Sequence, residues 1–164
     1  MKKGIILLLI VVTTVCFTCG CVTQSQPVQQ FSDDDLYIKD LIDFVTTSDQ
    51  QQPTSDQFTQ DQQGGAKLKI LSTTYYDRVV ALKVSPKYEF SKNSFLQCLK
   101  EMEAVSDYLL SNPDPFDRAR YLEGEKHNQN FGLFLVKTFD SNVCSVENEK
   151  KYTNITKVCK SFSP

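Results

Sequence analysis

The chain has 164 residues, with 18 Lys and Arg against 20 Asp and Glu, a single His, six Cys and no Trp. A formal net charge of −2 excludes the strongly basic footprint of a nucleic-acid binder, and one histidine excludes a centre built from several histidines. The charge is unevenly divided, since residues 22–65 carry eight Asp against Lys39 alone while the basic excess is spread over residues 66–164.

The N-terminus opens with Lys2 and Lys3, continues with an uncharged run from Gly4 to Val15, and ends in Cys16-Phe17-Thr18-Cys19-Gly20-Cys21. A short basic start, an apolar centre and small residues beside a cysteine are the parts of an export signal. The segment Thr18-Cys19-Gly20-Cys21 resembles the lipobox of prokaryotic lipoproteins, in which a small residue precedes a cysteine that receives lipid and becomes the new N-terminus. The resemblance covers residues 1–21 only and implies lipidation of Cys21. Gly20 fits that pattern, whereas Thr18 stands where leucine is usual and Cys19 is atypical. The uncharged stretch to Val22 also has about the length that spans a bilayer, so a single-pass anchor and plain secretion stand as alternatives. Each places everything after Val22 on the extracytoplasmic side of the cell membrane, because the lysines stay inside.

Residues 22–65 read as a polar, acidic tether, disordered where Gln, Ser, Thr and Asp leave too little apolar surface to offset chain entropy. One island interrupts it. Ser32 is a good N-cap, Asp33, Asp34 and Asp35 suit the first turn of a helix, and Leu36, Leu41, Ile42 and Val45 fall near one face, so a short helix is expected near 32–45. An EF-hand reading of the three Asp fails for want of alternating ligands, a central Gly and a closing Glu.

Residues 66–164 have the apolar density of one domain. Leu68, Ile70 and Ser72 alternate with Lys67, Lys69 and Leu71, and the run 78–84 is nearly continuous in apolar residues, so a β-hairpin is expected, ended by Pro86. Phe95, Leu99, Met102 and Leu109 recur at helical spacing within 93–111, capped by Ser91 or Asn93. A second helix is expected from Asp114 and Pro115 to Gly124. Residues 131–139 read as a strong strand and 152–159 as a weaker one. The order β-β-α-α-β-β points to an α+β fold with a small, mostly antiparallel sheet and helices packed on one face.

Outside the cytoplasm cysteines tend to pair, and a bridge between Cys144 and Cys159 would close a short loop. Cys98, beside Phe95 and Met102, reads as a buried thiol. No metal site, cofactor fingerprint or catalytic motif is found. Asn154-Ile155-Thr156 fits the N-glycosylation pattern. Tyr75, Tyr76, Tyr88 and Phe90 form an aromatic cluster suited to packing or to a ligand face. The expected function is a membrane-tethered, extracytoplasmic, non-enzymatic module that holds the membrane through its N-terminal lipid or anchor and binds an envelope protein or small ligand, not nucleic acid. The alternatives are an extracytoplasmic enzyme with a convergent site such as Glu123, Glu125 and His127, and an accessory subunit of a membrane complex.

Overall fold

The computed structural model describes residues 32–51, 62–111 and 117–162. Cys21 with the rest of the signal, most of the stretch read as disordered, and the expected cap at Asp114-Pro115 lie outside the described residues. Six helices follow one another among the described residues: α1 (Asp33–Gln51), α2 (Gln62–Val80), α3 (Pro86–Leu110), α4 (Arg118–Thr138), α5 (Val146–Lys151) and α6 (Ile155–Phe162). No strand occurs among the described residues, so the expected α+β sheet is corrected to a helical bundle.

The physical reason lies in which residues turn inward. In α2 the inward set is Leu68, Leu71, Ser72, Tyr75 and Val79, at spacings of three and four, while Ile70 is exposed. The alternation that suggested a strand spanned only residues 67–72 and was coincidental. In 131–139 the inward set is Phe131, Phe134, Leu135 and Thr138, with Leu133 and Val136 outside, and the C-terminal set is Ile155, Val158, Cys159 and Phe162. β-branched and aromatic residues favour strands only weakly, and a neighbouring helix that covers a 3.6-residue face overrides the preference.

Helix α3 lies at the centre. Tyr88, Ser91, Phe95, Cys98, Leu99, Met102, Val105 and Leu109 are buried along it, and α2 and α4 pack against its two sides. Both neighbours run antiparallel to it. Gly65, near the start of α2, meets Ser106 and Leu109 near the end of α3, while Lys92 caps the other end of α2 through the carbonyls of Val80 and Leu82. In α4, Gly124 lies against Tyr108, and the Thr138 carbonyl accepts from Ser91 Oγ at 2.6 Å. Pro86 starts α3 instead of ending a strand, because the first helical position has no use for the missing N–H. Ser91, expected as a cap, is inside the core.

Helix α1 adds Tyr37, Ile38, Leu41, Phe44 and Val45 to the same core. Phe44 meets Phe95 and Tyr75 edge-on at 5.0 and 5.3 Å. Ser91 must spend its one proton on the Thr138 carbonyl, so the buried Tyr37 hydroxyl is the donor in their 2.6 Å bond. The three acidic residues of the first turn are a clamp. Asp33 accepts from Lys83 N and Asp34 from Ser85 N, both at 2.7 Å. Asp35 accepts from Tyr152 Oη at 2.6 Å and pairs with Lys151, so α1 holds both the α2–α3 turn and the end of α5.

Two expectations follow. A Cβ on Gly124 would stand 2.8 Å from the Tyr108 ring, whereas one on Gly132 would meet nothing within 4 Å. In urea unfolding, Gly124→Ala is expected to cost about 1–3 kcal/mol through overpacking and Gly132→Ala to add about 0.5–1 kcal/mol through helix propensity; equal effects would contradict this packing. The Asp35 carboxyl is held below its ordinary value of 3.8, first by the Lys151 hydrogen bond and then by Tyr152, with burial opposing them. A carboxyl depressed in the folded state stabilises above its unfolded pKa, and that gain is lost as pH falls through the folded value. Asp35→Asn is expected to lower stability by on the order of 1 kcal/mol at neutral pH, with the gap to the parent closing in acid; a gap independent of pH would refute the assignment.

Candidate functional site

With α2 and α4 on its flanks and α1 behind, α3 keeps one face open among the described residues. Phe90, Asn93, Gln97, Lys100, Ala104 and Tyr108 follow one another along that face at helical spacing and line two hollows in succession. The first, about 370 Å³, is closed on one side by Tyr76 of α2 and on the other by Phe134 of α4. Phe90 is 61% exposed there. Two cations edge this aromatic end. Lys100 Nζ lies 5.8 Å from the centre of the Tyr76 ring and Lys137 Nζ 5.3 Å from that of Phe134, and neither forms an ion pair among the described residues.

The second hollow, about 300 Å³, is lined by Ala104, Asp107, Tyr108, Arg120, Glu123, Gly124 and His127. His127 Nδ1 lies 2.6 Å from Glu101 Oε2, and Asn130 Nδ2 donates to the other carboxylate oxygen at 3.3 Å. The imidazole is therefore fixed by a carboxylate from the neighbouring helix, itself fixed by an amide. Lys69 of α2 holds Asp107 at 2.6 Å on the far wall. The hollow thus offers an oriented imidazole, a guanidinium and a free carboxylate to polar groups of whatever enters.

The residues singled out in the sequence are distributed as follows. Glu123 and His127 share the groove-side face of α4 one turn apart, while Glu125, two residues from each, falls away from it and is exposed. Among the described residues no cluster of three His, Cys, Asp or Glu could hold a metal ion. The aromatic cluster divides: Tyr75 and Tyr88 are buried, and Tyr76 and Phe90 line the groove. Burial, followed by the hydrogen bond to Asp43, pushes the Tyr75 hydroxyl up to about 12. Cys144 and Cys159 stand with sulfurs 2.05 Å apart, tying the turn before α5 to α6. Cys98 is buried, and burial pushes its thiol well above the ordinary range, so it packs as a small apolar group. Asn154 is exposed in the turn between α5 and α6.

Glu101, Asn130, Lys100 and Phe134 were not singled out. Reading 131–139 as a strand placed Phe134 in a sheet and hid Asn130 from the partner it meets one helix away. The four-residue spacing of Glu123 and His127 was the available signal that this stretch is helical and shows one face to α3. The chain matches no protein-family model, no curated protein and no solved structure, and its functional reading rests on these residues.

An aromatic side chain left in water does little for the fold. Phe90→Ala is expected to change stability by no more than about 0.5 kcal/mol, whereas Phe95→Ala, fully buried one turn on, is expected to cost about 3–5 kcal/mol. Similar losses in chemical denaturation would return Phe90 to the core.

Proposed function

We propose that this chain is a membrane-tethered extracytoplasmic module, non-enzymatic, that binds another component of the cell envelope. The observation that carries the binding reading is the open face of α3, where Phe90, Tyr76 and Phe134 offer apolar surface to solvent between two flanking helices. A core residue would be covered, and exposed aromatic surface rimmed by polar groups is characteristic of interaction sites. The extracytoplasmic half of the reading is supported by the lipobox-like Thr18-Cys19-Gly20-Cys21 and by the Cys144–Cys159 bridge, since disulfides persist in oxidising compartments. Among the described residues no helix is long and apolar enough to cross a membrane; the tether in this reading is Cys21 or the uncharged run before it. The Glu101–His127 pair supports a second reading, an extracytoplasmic enzyme in which Glu101 orients His127.

Intact mass of the protein extracted from its native membranes tests the location. A start at Cys21 carrying lipid, with the mass of one hydrogen pair gained on reduction, is expected; a chain retaining Met1, or one starting beyond Cys21 without lipid, would overturn the lipid tether. A photo-reactive residue at Phe90 tests the binding. It is expected to give a discrete adduct in cells, while the same residue at exposed Glu149 of α5 gives none, and equal or absent labelling at Phe90 would set the binding reading aside.

A further inference from the structure

The geometry of the groove points to one kind of occupant, an inference that rests on the binding reading above and narrows it. We propose that the face of α3 between α2 and α4 seats an amphipathic α-helix of a partner protein, apolar along one stripe and acidic beside it.

Three observations carry this. The first is shape. The open face runs from Phe90 to Tyr108, about 27 Å at 1.5 Å per residue, with α2 and α4 packed on either side of α3 and residues of both lining the aromatic hollow. A valley between two helices, floored by a third that runs antiparallel to both, accepts another helix by ridges and grooves. Its floor presents no unpaired backbone edge to which an extended strand could bond. The second is the distribution of apolar surface. Tyr76, Phe90, Leu96 and Phe134 surround one hollow of about 370 Å³, room for one or two large apolar side chains from a single helix turn. The third is charge. Lys100 stands in the floor and Lys137 on the α4 rim beside those aromatics, each against a ring and neither in an ion pair among the described residues. Of the carboxylates nearby, Glu101 is engaged by His127 and Asn130 and Asp107 by Lys69, while Glu123 lies in the second hollow, beyond the aromatic end. An incoming Glu or Asp one turn from the apolar anchor would answer Lys100, which favours an acidic helix over a basic one.

The same argument disfavours a second copy of this chain. Among the described residues the outward stripe of α4 is an apolar surface that a second copy could offer, with Leu122, Leu133 and Val136 about half exposed. Lys126 lies within that stripe, and seating it in the groove would bring a lysine toward Lys100 and Lys137.

The test uses the full chain in detergent micelles and a fluorescein-labelled peptide of about eighteen residues, with Leu and Phe at helical i, i+3, i+4, i+7 positions and Glu flanking them. A scrambled peptide of equal composition and a version with Lys for Glu are the comparisons. Fluorescence anisotropy is expected to show saturable binding of the acidic helix and at least about tenfold weaker binding of the scrambled peptide. Phe90→Ala is expected to weaken binding about tenfold, and Lys100→Glu to reverse the preference in favour of the lysine peptide. Both substituted positions are exposed, and far-ultraviolet dichroism verifies that the variants fold. Equal binding of the scrambled peptide, indifference to both substitutions, or self-association on sedimentation that Phe90→Ala abolishes would each overturn the proposal, the last by placing a second copy in the groove. A Phe90 crosslink in cells without peptide binding would overturn the helical occupant alone; loss of both would remove the binding reading with it.

Discussion

The burial of α3 on three sides is the constraint from which the rest of the molecule follows. Its apolar residues recur at three and four through Tyr88, Phe95, Leu99, Met102 and Leu109, and close approach by its neighbours depends on small residues at the crossing points. Ser106 Oγ donates to the Gly65 carbonyl at 2.7 Å, Gly124 leaves room for the Tyr108 ring, and Ser91 reaches the Thr138 carbonyl. A larger residue at either glycine would push a flanking helix outward. The back of α3 receives Phe44 of α1, with Phe139 stacked on Phe162 at 4.7 Å further along the core. The front receives nothing from the described residues, and that asymmetry creates the groove.

Polar groups do the positioning. The three Asp at the start of α1 cross to Lys83, Ser85, Lys151 and Tyr152, so a single helix terminus fixes a turn and a neighbouring helix end. Asp40 shows the opposing pull of burial and pairing: burial raises its carboxyl, the adjacent Arg78 lowers it, and burial is the larger effect. Arg78 is half exposed, and solvent weakens what it can return. Around Asn148, the amide donates to the carbonyls of Asn142 and Val143 and to Tyr88 Oη, so the 140–145 turn is held from within as well as by the Cys144–Cys159 bridge.

On the open face the same economy of small and charged residues gives an aromatic end and a polar end. Glu101 and His127 join α3 to α4 at the polar end, and Lys69 and Asp107 join α2 to α3. These ties hold the groove walls at a fixed separation without filling the groove, which leaves the exposed ring of Phe90 and the cation of Lys100 available to an occupant.

The sequence by itself determined the basic start and uncharged run of the N-terminus, the acidic bias of residues 22–65, the apolar stripe of α3 and the helical period around Leu41, because each is a local pattern of charge or spacing. It also singled out Cys144, Cys159, His127 and the aromatic residues near Phe90. Tertiary structure alone decided that α2, the second half of α4 and α6 are helices and that 81–85 is the turn after α2, since short apolar runs such as 131–139 satisfy either period until a neighbour covers one face. It alone joined Glu101 to His127 and set Lys100 between Tyr76 and Phe134, because residues 24 and more apart in sequence meet only after the helices pack. The groove belongs to no single segment; it exists because the described residues cover α3 on its sides and its back and leave it open at its front.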